Sequence, residues 1–536
     1  MKKSTSVSLT GRLVLAALAA SLVSLLLVPA PAQAADYVPI SGAGSTWSQV
    51  AVDAWRADVR ASGVVVNYAG TGSTDGRSQF IQGTVDFANT EIPFQNPPEP
   101  GQQAEIPSRP YAYLPIVAGG TSFMYNLTVA GQRVRDLRLS GDTLAKIFTG
   151  AITRWSDPAI TRDYGKTLPD IPIIPVVRSD GAGASAQFTK YMASQAPSVY
   201  CPFIRSKLNL SGSACPSVSF YPAFGSSKAQ NGSNGVANYV AASYGAGAIG
   251  YVEYAYPKRI DFPVVSLLNK AGYYSQPTAG NVAVALTKAK INPDLTQNLD
   301  SVYSNPDPRA YPMSSYSYMV VPTSTAAPFN TDKGRTLSTF VNYFLCGGQQ
   351  KADILGYSPL PKNLVEAGFQ QVARIPGAVP SPSITQCHNP ALDILHSAPM
   401  PDKCMKVGAT CDPSTTPSSG GTPSPSGTTT TTPGSSTPAG GLPGSTTPGG
   451  TAADPGGGPS GSDPGAAAPD PLTGTPAGGT VTTAGGALTA AAGTPVSLAS
   501  SRAGQQKAIG WLVAAMLALT VLAPPFLVSR HLRRRP

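Results

Sequence analysis

Histidine is almost missing from this chain: three residues in 536. Two of them, His388 and His396, fall in the part able to fold, and no C-x-x-C pair stands at ligand spacing beside them. A zinc site and a histidine-based nucleophilic centre therefore lack their usual components. No G-x-S-x-G elbow occurs either. The sequence reads as a non-enzyme with no cofactor and no metal. Charge is also scarce, at 12% Asp, Glu, Lys and Arg. Most of the formal +10 sits at the two ends, and residues 36–411 carry only +5, scattered rather than gathered into a basic arm. That distribution excludes nucleic acid as a partner and suits a small anionic solute.

The segment 412–501 has no Lys, Arg, aromatic residue or Cys and is built from Gly, Pro, Ser, Thr and Ala. It cannot bury enough apolar surface to fold, so it reads as a disordered linker with a reach of roughly 50 Å as a flexible coil. Long apolar runs occur only near the ends. Lys2, Lys3 and Arg12 precede the run Leu13 to Val28, and Ala32-Gln-Ala34 closes it, the pattern of a secretory signal peptide over 1–34. Ala508 to Val528 is 21 apolar residues, the length of a transmembrane helix, and Arg530, Arg533, Arg534 and Arg535 follow in a basic tail over 529–536. Positive charge on that side places the C-terminus in the cytoplasm and the body on the extracellular face of the cell membrane. The chain is thus expected to be single-pass, with residues 36–411 as its ligand domain.

Six cysteines in an exported chain are expected to pair. Cys201, Cys215, Cys346, Cys387, Cys404 and Cys411 allow 15 connectivities. Proximity in sequence favours 201–215 and 404–411, leaving 346–387.

Within 36–411 the pattern alternates. Val50, Ala51, Ala54, Trp55 and Val59 recur at helical spacing, and Val64-Val-Val-Asn-Tyr68 has strand composition. Gly70-Thr-Gly-Ser-Thr-Asp-Gly76 leads into a second helix through Phe80 and Ile81, followed by a short strand at Asp86-Phe87. Ile171 to Val177 reads as a buried strand, after which Arg178-Ser-Asp-Gly-Ala-Gly-Ala-Ser185 turns into a helix containing Phe188 and Met192. The order is that of an α/β domain. Both Gly-rich turns precede helix starts, where unpaired N–H groups and the positive end of the macrodipole favour an oxyanion. Taken singly, each is also an ordinary strand-to-helix connection.

Three blocks together resemble the phosphate-binding proteins of Pst-type ABC importers: Gly42-Ala-Gly-Ser-Thr-Trp47, Val66-Asn-Tyr-Ala-Gly-Thr-Gly-Ser73 with Gly83-Thr-Val-Asp-Phe87, and Val176-Val-Arg-Ser-Asp-Gly181. Leu144 to Gly150, Gly247 to Tyr254 and Met319 to Pro322 extend the match, which covers roughly 38–370. The resemblance implies a two-lobed periplasmic-binding-protein-like fold (type II) with a hinge, closing on inorganic phosphate or a related oxyanion and passing it to an ABC permease. Lobe one would combine 37–118 with the region after about 280.

Position by position, the resemblance implies Thr46 as hydroxyl and backbone donor, the Trp47 N–H beside it, and Ser73 as a ligand serine. It implies Arg178 facing the anion, Asp180 holding that arginine, and Gly183 as a backbone donor. Three positions depart from the pattern. Ala182 and Ala184 stand where the family has hydroxyls, and Glu91 stands where it has Asp. Two lost hydrogen bonds to a charged ligand cost roughly 3–6 kcal/mol. Asp75 adds an acid near a helix start, with Arg77 expected to offset it. A second reading therefore stands beside the transport one, a repurposed surface-anchored sensor or interaction module with altered or lost anion binding.

Overall fold

The computed structural model describes residues 37–409. Its frame is an eight-stranded sheet. In chain order the strands are β1 (Ile40–Gly44), β2 (Val66–Ala69), β3 (Phe87–Thr90), β4 (Tyr111–Tyr125), β5 (Ile174–Arg178), β6 (Lys228–Gln230), β7 (Ala248–Glu253) and β8 (Ser314–Pro322). Across the sheet they lie in the order β2-β1-β3-β8-β4-β7-β5-β6. The two flanks, β2-β1-β3 and β7-β5-β6, are parallel, and the pairs between them are antiparallel.

Strand β4 belongs to both halves of the sheet. Tyr111 to Gly120 pair with β8, and Thr121 to Tyr125 pair with β7. Fourteen of its fifteen residues are buried, which is why its sequence shows no alternation of apolar and polar positions. Pro115, which has no N–H to give, sits at a register shift against Ser317 and Tyr318, where a strand tolerates it.

Helices fill the connections. Those that matter below are α1 (Gln49–Arg60), α2 (Ser73–Gln82), α3 (Gly183–Gln195), α4 (Gly232–Ala241), α5 (Ala279–Leu286), α6 (Thr331–Leu345), α7 (Lys362–Val372) and α8 (Ala391–Ser397). The periodicity of α1 is realised with one change: Val50, Ala51, Val52, Trp55 and Val59 are buried, whereas Ala54 stays partly open. Trp55 stacks on Phe344 of α6 with ring centroids 5.1 Å apart. Its full burial contributes about 2–3 kcal/mol. The strand expected over 171–177 is shorter and later, at Ile174–Arg178. That expected at Asp86-Phe87 runs on to Thr90.

Cys201 is bonded to Cys215 and Cys346 to Cys387, as proximity and elimination suggested. Cys404 is also disulfide-bonded; its expected partner Cys411 lies outside the described residues, as do the signal peptide, the linker, the apolar run 508–528 and the basic tail. Among the described residues no helix is long and apolar enough to cross a membrane.

Residues after α7, whose role the sequence leaves open, fold back over the domain. Cys387 ties the segment to the end of α6, and α8 then packs on α5, where Ala398 closes over Gly280. Farther on, the Cys404 carbonyl accepts from Arg138 Nη1 at 2.9 Å, and the Val407 N–H donates to the Gly272 carbonyl at 2.8 Å.

Candidate functional site

Four helices begin at one place. β1 runs into the turn Ser45 to Ser48 before α1, β2 into Gly70-Thr-Gly72 before α2, β5 into Ser179 to Ala182 before α3, and β6 into Asn231 before α4. Because β1, β2, β5 and β6 deliver their C-terminal ends to the same region, the first turns of the helices meet there, each with N–H groups its own helix cannot satisfy. Gly72 makes one of these turns possible. Its φ is +95°, and a Cβ there would collide with the Asp180 carboxylate.

The turn before α1 faces that before α4. Thr46 Oγ1 lies 3.1 Å from Ser233 Oγ and accepts the Ser233 N–H at 3.0 Å. The Thr46 carbonyl accepts from the Tyr256 hydroxyl. The Trp47 N–H, expected to face the anion, donates to Ser45 Oγ at 3.0 Å. The Trp47 indole is buried, with Nε1 donating to Thr121 Oγ1 at 3.1 Å and its ring edge-on to Tyr357.

Arg178, at the end of β5, is 3% exposed. It grips Asp180 through Nε, at 2.7 Å from Oδ1, and through Nη2, which bonds to Oδ2. Its backbone N–H donates to the Tyr251 hydroxyl at 3.2 Å. Burial works against both charges, but the bidentate pair outweighs it: the Asp180 carboxyl is held below the usual carboxylate range and the Arg178 guanidinium is raised above its own. The arginine is therefore a fixed buried cation at the meeting point of the helix ends.

Glu91, just past β3, points into the same place and is 2% exposed. Its Oε2 accepts from Ser73 Oγ at 2.7 Å, and its Oε1 accepts from Ser317 Oγ at 3.0 Å and from Ser45 Oγ. Ser73 Oγ in turn accepts the Gly183 N–H at 3.1 Å. A Cβ at 183 would collide with the Glu91 side chain, so only glycine lets the first turn of α3 come this close. Burial raises the Glu91 carboxyl, against the three hydroxyls and the Arg178 charge, which lower it. Behind it lies a second acid, Glu253 at the end of β7. It is 0% exposed, its carboxylate makes no hydrogen bond of good geometry, and burial followed by the nearby Glu91 pushes it well above the usual range, against the Tyr254 and Ala255 N–H groups, which lower it.

Thr46, Trp47, Ser73, Glu91, Arg178, Asp180 and Gly183 are thus drawn into one buried cluster. Ala182 and Ala184 are buried there too, with no hydroxyl to offer. One expectation is corrected. Arg77 does not offset Asp75; it is 1% exposed and bonds Glu105 through Nε at 2.7 Å, whereas Asp75 accepts from Gln79. The acid that Arg77 answers comes from the loop after β3, close in space and remote in sequence.

Sequence reasoning missed Ser45, Ser233, Ser317 and Glu253. Ser233 opens a helix, so Asn231-Gly-Ser-Asn-Gly235 was a readable cap signal. Nothing in the local pattern distinguishes Ser317 from any other strand serine. A carboxylate inside the apolar run Ile249 to Tyr254 was the available signal for Glu253.

The two halves of the sheet also touch outside this cluster. The Thr74 N–H donates to the Gly181 carbonyl at 3.0 Å, and Gln187 Nε2 to the Glu91 carbonyl at 3.1 Å. Glu99 accepts both the N–H and the hydroxyl of Ser219 at 2.7 Å. Beside this contact lies a cleft of about 420 Å³ bordered by Arg77, Gln102, Glu105 and Phe220.

Comparison with known proteins matches residues 29–347 to the PBP superfamily domain. A phosphate-binding protein PstS of Xylella fastidiosa is 30% identical over 341 residues, covering 63% of this chain and 86% of that one. One of the same name from Pasteurella multocida is 30% identical over 333 residues, covering 61% and 88%. Among solved structures, a phosphate-binding protein from Stenotrophomonas maltophilia is 19% identical, with a TM-score of 0.46 over 66% of this chain and 98% of that one.

Proposed function

Since the chain belongs to the PBP superfamily and, within it, to the PstS phosphate-binding proteins, we propose that it captures inorganic phosphate outside the cell and delivers it to an ABC permease. One observation carries this reading beyond family membership: four helix N-termini converge on a buried arginine whose charge is held by its own carboxylate. Such a site offers N–H groups, hydroxyls and one cation to a dehydrated oxyanion. In this reading Thr46, the Trp47 N–H, Ser73, Arg178 and the Gly183 N–H are the donors. Asp180 holds the arginine, and Ala184 contributes its backbone only, whereas the Ala182 N–H is taken by the Ser219 carbonyl at 3.0 Å.

The two halves of the sheet act as lobes, with β4 and the strands beside it flexing to admit the ligand. Outside 37–409, the proposed arrangement is a cleaved signal peptide, a linker over 412–501 and a span over 508–528 that tethers the domain to the outer face of the membrane. Calorimetric titration of the full chain, exchanged exhaustively into phosphate-free buffer, tests the function. Micromolar or tighter phosphate binding with sulfate excluded is expected; no heat with phosphate would remove the reading. Arg178→Ala should abolish anion binding.

The second reading, a surface module that has lost anion binding, draws on the commitment of Ser73 to Glu91. The same titration separates the two.

A further inference from the structure

The donors assigned to the anion already serve an anion, and it is part of the chain. Glu91 Oε2 takes the Ser73 hydroxyl at 2.7 Å, the same hydroxyl on which the Gly183 N–H rests at 3.1 Å. Glu91 Oε1 takes Ser45 and Ser317. Ser45 Oγ meanwhile receives the Trp47 N–H at 3.0 Å and the Ser48 N–H at 3.3 Å, so the turn leading into α1 also reaches this carboxylate through one intervening hydroxyl. The Arg178 charge acts on it from nearby. Of the donors assigned to phosphate, Ser73 thus bonds the carboxylate directly, the Gly183 and Trp47 N–H groups reach it through one serine hydroxyl each, and the Arg178 charge stands nearby.

We propose that the Glu91 carboxylate is a built-in competitor for the anion site, seated on the Ser73 hydroxyl that carries the Gly183 N–H, in place of the ligand, and displaced from it when an oxyanion binds. This inference rests on the phosphate reading above and adds to it a cost of occupancy set by the protein itself. The chain length of the residue matters. A glutamate extends one methylene farther than an aspartate from the same backbone position, and the Glu91 backbone is fixed by Gln187 Nε2 on its carbonyl. Ser45 and Ser317 then act as positioning residues, since they hold Oε1 without being donors that the ligand requires. Because only the fraction of molecules with the carboxylate displaced can bind, the apparent dissociation constant exceeds the intrinsic one by the inverse of that fraction. A carboxylate seated nine-tenths or more of the time weakens phosphate by about ten-fold or more.

The opposite role for Glu91, accepting a proton from bound hydrogen phosphate, predicts the opposite sign for its removal. Phosphate and sulfate titrations of the full chain, of Glu91→Gln and of Ser317→Ala decide between them, with thermal unfolding of each variant as the check on folding. Removing the charge at 91, or one of the hydroxyls that seat it, should tighten phosphate, by about ten-fold for Glu91→Gln and by less for Ser317→Ala. A parent chain that does not bind while Glu91→Gln does would support the proposal equally. A parent that binds while folded Glu91→Gln binds no tighter overturns the competitor and leaves the phosphate reading standing. Should Glu91→Gln not fold, Ser317→Ala decides by the same sign. If the parent and both folded variants ignore phosphate, the phosphate reading itself falls, and this inference with it.

Discussion

Asp180 holds Arg178 in a two-point grip while its Oδ1 also accepts the Gly232 N–H of α4 at 2.9 Å. One carboxylate therefore fixes the buried cation and docks the first turn of a helix from another part of the chain. Asp180→Ala should leave Arg178 charged, buried and unanswered, a loss of about 3–5 kcal/mol for a broken buried pair. Denaturant unfolding should show a lower midpoint with an unchanged slope. An unchanged midpoint would mean that water or another acid takes over the arginine.

Glu253 carries a pH dependence of the opposite sign to that of Asp180. The Asp180 carboxyl is depressed on folding, so its stabilisation is present above the unfolded value of 3.8 and lost as pH falls through its folded pKa. The Glu253 carboxyl is raised well above 4.5, so the folded state holds a proton that the unfolded chain releases. Stability from Glu253 is complete below 4.5 and is lost as pH rises toward its folded pKa. Glu253→Gln, which keeps the shape and removes the titration, should flatten the fall in melting temperature above pH 5 and melt higher than the parent at pH 7.5. A parallel pair of curves across that range would show that Glu253 does not hold the proton.

What could be read in advance follows a physical division. The helix 49–60 and the Gly-rich turn before Ser73 are local, since period and turn chemistry are written within one stretch of chain, whereas the roles of Arg178 and Asp180 came from the family resemblance. Two disulfides were legible because loop closure favours near neighbours. Hydroxyls were the blind spot. Ser45, Ser233 and Ser317 come from three separate segments, and what makes them matter is which strand ends meet, a property of the sheet order and not of any window of sequence. The Arg77–Glu105 pair failed for the same reason: the nearer acid in sequence, Asp75, is not the one its guanidinium reaches.

For the proposed closure of the two halves, Glu99 and Ser219 give a separate handle. Glu99 receives two hydrogen bonds at 2.7 Å from one residue of the opposite half, and neither residue is among the anion donors. Hydrogen bonds to a charged group contribute about 1.5–3 kcal/mol each when well buried, less at this partly exposed contact. Glu99→Ala should speed phosphate release by about ten-fold and change association little, because in the proposed closure the bonds form only when the halves meet. Stopped-flow release reads this directly. An effect on association alone would place Glu99 at the entrance and not in a latch.

The Cys346–Cys387 bond bears on the segment that folds back after α7. It closes a loop 41 residues long and anchors the start of that segment to the end of α6. Beyond it the segment is held by α8 on α5 and by the backbone contacts of Cys404 and Val407. Cross-linking a loop of this size restricts the unfolded chain by roughly 3–4 kcal/mol. Cys346→Ala together with Cys387→Ala should therefore lower the melting temperature by several degrees under oxidising conditions, and reductant should lower that of the parent toward the same value. Phosphate affinity should hold, because no donor of the anion site lies in residues 346–409. A loss of affinity matching the loss of stability would instead make the returning segment part of how the halves are held together.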